Sequence, residues 1–200
     1  AKQDNPNLKV VVIDPRRTAT CDLADLHLAI APGSDNFIFT GLLQYLSVKG
    51  VTDQDYIEKH TQGFAAALES AASATLDDVS QQAQVNPQDL ETFYQWFAET
   101  EKVITFYSQG INQSATGTDK CNAIINCHLA TGKLGKVGMG PFSITGQPNA
   151  MGGREVGGLA NMLAAHMDYS EETLSIVGEF WNSTSLSQQP GLKAIELFDA

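Results

Sequence analysis

Four short stretches hold the side chains that can bind or act on a ligand. The first is Ile13-Asp14-Pro15-Arg16-Arg17-Thr18. An aspartate at a strand end can accept from ribose hydroxyls, as in dinucleotide folds. An arginine offers a planar fork for phosphate, or a face for stacking on a purine. A solvent-facing turn that opens a loop is the alternative reading of these residues. The second stretch is Pro32-Gly33-Ser34-Asp35. Its carboxylate, on a tight turn, can pair with two neighbouring N–H groups of a base. Ser34 or Asp35 can equally cap the helix that follows, and a carboxylate with two oxygens can serve both purposes. The third, Tyr107-Ser108-Gln109-Gly110-Ile111-Asn112-Gln113, sets three amide side chains around a glycine. Uncharged donors and acceptors suit a base edge or a pterin; a helix-entry loop is the alternative. The fourth, Pro141 to Glu155, places Gln147, Asn149, Met151 and Arg154 on glycine-softened backbone. Arg154 can attract an anion, or it can pair with Glu155 or another nearby acid.

The elements that must position these stretches follow from the hydrophobic pattern. Lys9 to Ile13 is a β-branched run, as in a buried parallel strand, and Pro15 ends it. A second extended piece fits Leu26 to Ala31. A helix is expected from Asn36 to Lys49, with Ile38, Leu42, Leu43 and Leu46 on one face and Gly50 at its C-terminal end. Residues 53–100 read as a more polar helical insertion, with segments near 53–60, 63–73, 76–84 and 87–100. Asp53, Thr75 and Asn86 are its caps, and Pro87 opens the last segment. Val103 to Tyr107 is the next strand, followed by a helix from Thr118 to Ala130. Further helices are expected at 154–166, 170–181 and 191–200, with a linker at 183–190.

Strands alternating with helices give an α/β fold: a Rossmann-like, mostly parallel sheet with helices on both faces and a helical insertion. Residues 1–52 and 101–200 form the α/β part, and 53–100 the insertion. Ligands in such folds lie beyond the carboxyl ends of the strands, where the loops at 14–18 and 108–113 sit.

Composition narrows the partners. Twelve basic against 23 acidic residues give a net charge of -11, so nucleic-acid binding through a basic face is excluded. No apolar run approaches the ~18 residues of a membrane span. Cys21, Cys121 and Cys127 form no disulfide framework, and on a helix Cys121 and Cys127 diverge by roughly 120°; reduced, buried thiols are expected. His27, His60, His128 and His166 show no metalloprotease pairing and are read as structural. There is no Gly-x-Ser-x-Gly elbow. The run from Gly132 to Gly140 lacks the Gly-Lys-Ser/Thr ending of a phosphate loop, so it is read as a helix exit with structural turns.

Taken together, "VVVIDPRRTAT…ADLHLAIAPGSD" and "YSQGINQSATGTDKCNAIINCHLATGKLGKVGMGPFSITGQPNAMGGREVGGLANML" resemble the molybdopterin oxidoreductases, over nearly the whole chain. The Gly-Gln-Pro-Asn-Ala-Met-Gly-Gly-Arg-Glu-Val-Gly run looks like the nitrate-reducing branch. Formate dehydrogenases are similar there but tend to carry arginine where this chain has Thr145.

The resemblance implies two-electron reduction of nitrate at a molybdenum bis-(molybdopterin guanine dinucleotide), with electrons delivered by a 4Fe-4S cluster. It implies cofactor contacts at Asp14, Pro15, Arg16, Arg17 and Thr18, at Gly33, Ser34 and Asp35, and at Gln109 and Gln113. Gln147 and Arg154 would lie near the metal and the substrate funnel, Arg154 with the catalytic role. It also implies that the cluster cysteines and the molybdenum ligand precede these residues and that a further domain follows them. The segment alone would then be inactive, and the parent enzyme would be cytoplasmic and served by an electron-donor protein or reductase subunit. Two rival readings stand: another enzyme of the family such as a formate dehydrogenase, and a non-catalytic α/β nucleotide-binding or interaction module.

Overall fold

The computed structural model describes residues 2–144, 146 and 149–200, and within these it leaves aside the side chains of 194 and 195. The chain divides into two compact units, residues 1–144 and 145–200.

The first unit is built on parallel strand pairs. β1 (Val11–Ile13) lies parallel to β2 (Leu26–Leu28), with Val11 opposite Leu26 and Ile13 opposite Leu28. α1 (Asp35–Val48) follows and forms the centre of the core. Its expected apolar face is buried throughout: Ile38, Leu42, Leu43 and Leu46. Four helices come next: α2 (Gln54–His60), α3 (Phe64–Ala71), α4 (Leu76–Ala83) and α5 (Pro87–Glu99). The starts of α2, α4 and α5 follow the capping residues read from the sequence. Asp53 accepts from the Tyr56 amide, Thr75 from Asp78, and Asn86 from Gln88 and Asp89. Each cap satisfies a donor that the first helical turn leaves unpaired. Val79, Ala83, Leu90, Tyr94 and Phe97 join the same core as α1, so α4 and α5 share one interior with the strands. One close fit is at Gly41. A Cβ there would stand 2.6 Å from both Tyr94 Oη and Val79 Cγ2, so glycine lets α5 approach α1 while the Tyr94 hydroxyl donates to the Ile38 carbonyl at 2.7 Å.

β3 (Ile104–Tyr107) leads through the single turn α6 (Gln109–Asn112) to α7 (Gly117–Ala130) and then to β4 (Gly140–Ser143), which pairs parallel to β3. β4 is absent from the sequence expectations because Gly-Pro-Phe-Ser carries no β-branched residue. Pro141 cannot donate to a ladder, but it is tolerated on a strand with one neighbour. Among the described residues both pairings are parallel, in keeping with α/β connectivity. Among the described residues the strands form two separate pairs, β1-β2 and β3-β4.

The second unit holds α8 (Ala150–Glu155), a 3-10 turn at Ala164–His166, α9 (Glu171–Trp181) and α10 (Ala194–Asp199). Leu163, Leu174 and Val177 form its small core, with Met167, Tyr169 and Leu186 packed against it. The helix expected over 154–166 does not form. Gly157, at φ +78°, ends α8 and turns the chain so tightly that a Cβ would meet the Ala164 amide nitrogen at 2.9 Å. α9 begins where Ser170 accepts from the Thr173 amide.

Candidate functional site

Because β1 and β2 are parallel, their carboxyl ends lie on the same side, and the loops that follow leave from one edge. Asp14 stands one position beyond β1, and its amide donates to the Leu28 carbonyl at 3.2 Å, continuing the ladder. One carboxylate oxygen of Asp14 accepts from the Arg16 amide at 2.7 Å. The Asp14 carbonyl accepts from His27 Nε2 at 2.9 Å; a carbonyl has no proton to give, so Nε2 carries it. This contact gives His27 the structural role expected of it. Pro15 and Arg16 are exposed and Thr18 is half-buried. Arg17 pairs with Asp22 at 3.0 Å, with both side chains more than 60% exposed. Such a pair is weak enough for a ligand to displace.

The loop after β2 turns at Gly33, whose φ is +89° and whose missing side chain leaves open space. Ser34 is buried, and its hydroxyl donates back to the Ala31 carbonyl at 2.6 Å; it makes no side-chain cap to α1. Asp35, the first residue of α1, meets an unforeseen partner. Lys120, in the first turn of α7, donates to Asp35 Oδ2 at 2.8 Å. The lysine side chain is 5% exposed and the aspartate 16%. Sequence patterning gave no sign of this pair, since a lysine near the start of a helix reads as a solvated one.

The amide loop leaves the carboxyl end of β3. Ile111 packs against the core, while Gln109 and Gln113 are exposed on the same turn, joined by the Gln113 amide to the Gln109 carbonyl at 2.9 Å. Asn112 Nδ2 donates to Ser143 Oγ at 3.2 Å, and the Ile144 amide to the Tyr107 carbonyl at 2.8 Å. The amide loop and the exit of β4 are therefore adjacent. Gln147, which the resemblance puts near the metal and the substrate funnel, lies outside the described residues.

The other end of α7 is locked. His128 is fully buried. Its Nδ1 donates to the Lys133 carbonyl at 3.0 Å, so in the neutral ring Nε2 accepts from the Thr105 hydroxyl at 2.8 Å. Burial pushes its pKa down to about 4, which keeps the ring neutral. Lys133 donates to the Phe97 carbonyl and lies over the Phe97 ring, 4.9 Å from its centre; burial lowers its pKa to about 8. Thus Gly132-Lys133 anchors a helix exit, as read. Cys127 is buried against the Phe39 and Ala123 carbonyls, and burial pushes its thiol pKa up strongly. All three cysteines are free; Cys21 is buried like Cys127, but Cys121 is only half-buried.

In the second unit, Arg154 lies exposed on α8. The expected competitor for it, Glu155, is taken by His166: Nε2 donates to Glu155 Oε1 at 2.7 Å. Among the described residues Arg154 has no ion pair. Ala165 and His166 hold left-handed backbone at φ +54° and +60°, uncommon for side chains other than glycine and asparagine. The turn thus brings His166 to Glu155, a contact eleven positions apart that no helical spacing announces.

The family model of the molybdopterin oxidoreductases matches residues 1–200. The chain is 54% identical over its whole length to a nitrate reductase of Klebsiella oxytoca, covering 22% of that protein. It is 34% identical over 86% of its length to the assimilatory nitrate reductase catalytic subunit of Bacillus subtilis, covering 24% of it. It is 28% identical over 96% of its length to the F420-dependent formate dehydrogenase subunit alpha of Methanocaldococcus jannaschii, covering 28%. The chain thus spans about a quarter or less of the length of the curated nitrate reductases it is compared with here. Acetylene hydratase from Pelobacter acetylenicus shares the fold, with a TM-score of 0.54 and 24% identity over 65% of this chain and 18% of that one. With parallel strand pairs, loops at their carboxyl ends and a family match from first residue to last, the chain belongs to the molybdopterin oxidoreductase family.

Proposed function

We propose that these 200 residues are a segment of the catalytic polypeptide of an assimilatory nitrate reductase, and that their strand-end loops hold part of a molybdenum bis-(molybdopterin guanine dinucleotide). The observation that carries the reading is the identity gradient: 54% to a nitrate reductase against 28% to a formate dehydrogenase, each over nearly the entire chain.

The residues suit the cofactor. Gly33 leaves open space at a turn, and Gln109 and Gln113 expose uncharged amides. Asp14 and Asp35 each keep a carboxylate oxygen beyond the one bonded within the protein. In this reading Asp35, with Gly33 and Ser34, receives the guanine N–H groups, and Asp14 the ribose hydroxyls. Pro15 and Thr18 line that pocket, with Arg16 and Arg17 facing anionic oxygens. Gln109 and Gln113 bond the polar edge of a pterin or base. When bound, the molybdenum cofactor supplies the two-electron oxygen-atom chemistry by which nitrate, two protons and two electrons give nitrite and water. Arg154 steers nitrate: the segment's net charge of -11 repels anions, and a local guanidinium with parallel donors offsets this. Gln147 belongs to the same funnel. A 4Fe-4S cluster and a donor protein or reductase subunit supply the electrons. Cytoplasmic localisation suits this role.

The test is to purify the full-length polypeptide and supply either nitrate with a reduced viologen or formate with an oxidised one. Nitrite formation supports the reading. Formate oxidation without nitrite formation overturns it in favour of the related dehydrogenases.

A further inference from the structure

We propose that Lys120 is the residue that positions Asp35 for the guanosine: its ammonium occupies Oδ2 and leaves Oδ1 to the ligand. The inference rests on the reading of Asp35 as a nucleotide contact, and adds to it a residue from a helix 85 positions away.

Burial gives the pair its meaning. Other ion pairs of the first unit are more exposed, among them Lys2 with Asp25 at 31% and 26%, Arg17 with Asp22 at 63% and 69%, and Lys59 with Asp55 at 69% and 90%. Against these, Lys120 is 5% exposed and Asp35 16%. Desolvating an ammonium is costly unless a well-placed counter-charge meets it, and the interior then enforces one geometry. An exposed pair would leave the carboxylate free to rotate; this one fixes which oxygen is used.

Position gives it a consequence for the ligand. Asp35 ends the Gly33 loop and begins α1, and Lys120 lies in the first turn of α7, just after the amide loop. The pair therefore ties together the two loops that the cofactor reading assigns to a single ligand. Charge completes the argument. A guanine dinucleotide carries phosphates, and the segment is acidic. Lys120 cancels the charge of the carboxylate nearest the base, so Asp35 can accept from N–H groups without adding repulsion toward the phosphates. An ammonium is a compact point charge, so it can hold one oxygen and leave the other available.

The experiment measures guanosine nucleotide in the folded, full-length holoenzyme and the rate at which it leaves on dilution, alongside the melting temperature of the cofactor-free protein. Asp35→Asn tests the underlying reading: unchanged content and release would show that this loop does not hold the guanosine. Lys120→Met tests the inference. Its folded fraction is expected to release guanosine nucleotide roughly tenfold faster than wild type, the change produced by ~1.4 kcal/mol. Where Lys120→Met does not fold, Lys120→Gln decides: its neutral amide stops one bond short of the ammonium position on Asp35 Oδ2, and the same faster release is expected. A lysine variant that melts lower but holds guanosine as long as wild type overturns the positioning role, whatever Asp35→Asn does.

Discussion

Glu155 accepts from His166 at 2.7 Å, although Arg154 is its neighbour in sequence. This pairing removes the nearest competitor for the guanidinium. Exposed ion pairs contribute only about 0–1 kcal/mol, so a purely structural Arg154 would matter little to kinetics. Arg154→Ala in the full-length enzyme is expected to lower kcat/KM for nitrate roughly tenfold or more, a loss of ~1.4 kcal/mol per tenfold, at unchanged molybdenum content. Steady-state kinetics with metal analysis checks this. Unchanged kcat/KM at full loading contradicts the role, and lost metal with normal turnover per molybdenum reassigns it to cofactor retention.

His128 makes stability depend on pH. Its folded pKa of about 4 lies below the ordinary 6.5, so the unfolded chain takes up the proton first. The stabilisation is whole above pH 6.5 and fades as pH falls toward 4, amounting to about 3 kcal/mol across that window. Denaturant unfolding between pH 7 and 4 is expected to show the decline, and His128→Gln to flatten it. An equally steep decline in the variant would place the titration elsewhere.

Gly41→Ala forces a methyl to within 2.6 Å of Tyr94 Oη and Val79 Cγ2. Overpacking a buried helix contact costs about 1–3 kcal/mol, and losing the bond from Tyr94 to the Ile38 carbonyl adds to this if the ring moves. Tyr94→Phe alone is expected to cost about 1 kcal/mol. In the double variant the two losses should not add, because the hydroxyl that clashes is gone. Additive unfolding free energies would show that Gly41 and Tyr94 do not meet.

These predictions divide along what local sequence could express. Helices α2, α4 and α5 were legible because each start is written within three or four residues, as Asp53, Thr75 and Asn86 show. The face of α1 was legible for the same reason: period alone selects Ile38, Leu42 and Leu46. β4 was not, because Phe106 opposite Phe142 is a pairing between distant segments, and Gly-Pro-Phe-Ser has no strand character of its own. The missing helix over 154–166 shows local glycine prevailing over an apolar pattern, at Gly157. In the candidate site, Asp14 and Asp35 could be picked out because they sit in strand-end loops. Lys120 could not, since its meaning depends on a contact across the fold.

The central claim is that the loops after β1 and β2 hold a guanosine, and a structure of the full-length holoenzyme tests it most directly. The account predicts guanine and ribose density at the carboxyl ends of these two strands. Asp35 Oδ1 should lie within hydrogen-bonding distance of the base, Oδ2 should remain on Lys120, and Asp14 should lie beside the ribose. Guanosine density elsewhere in the enzyme, with both carboxylates facing only water or protein, would contradict it.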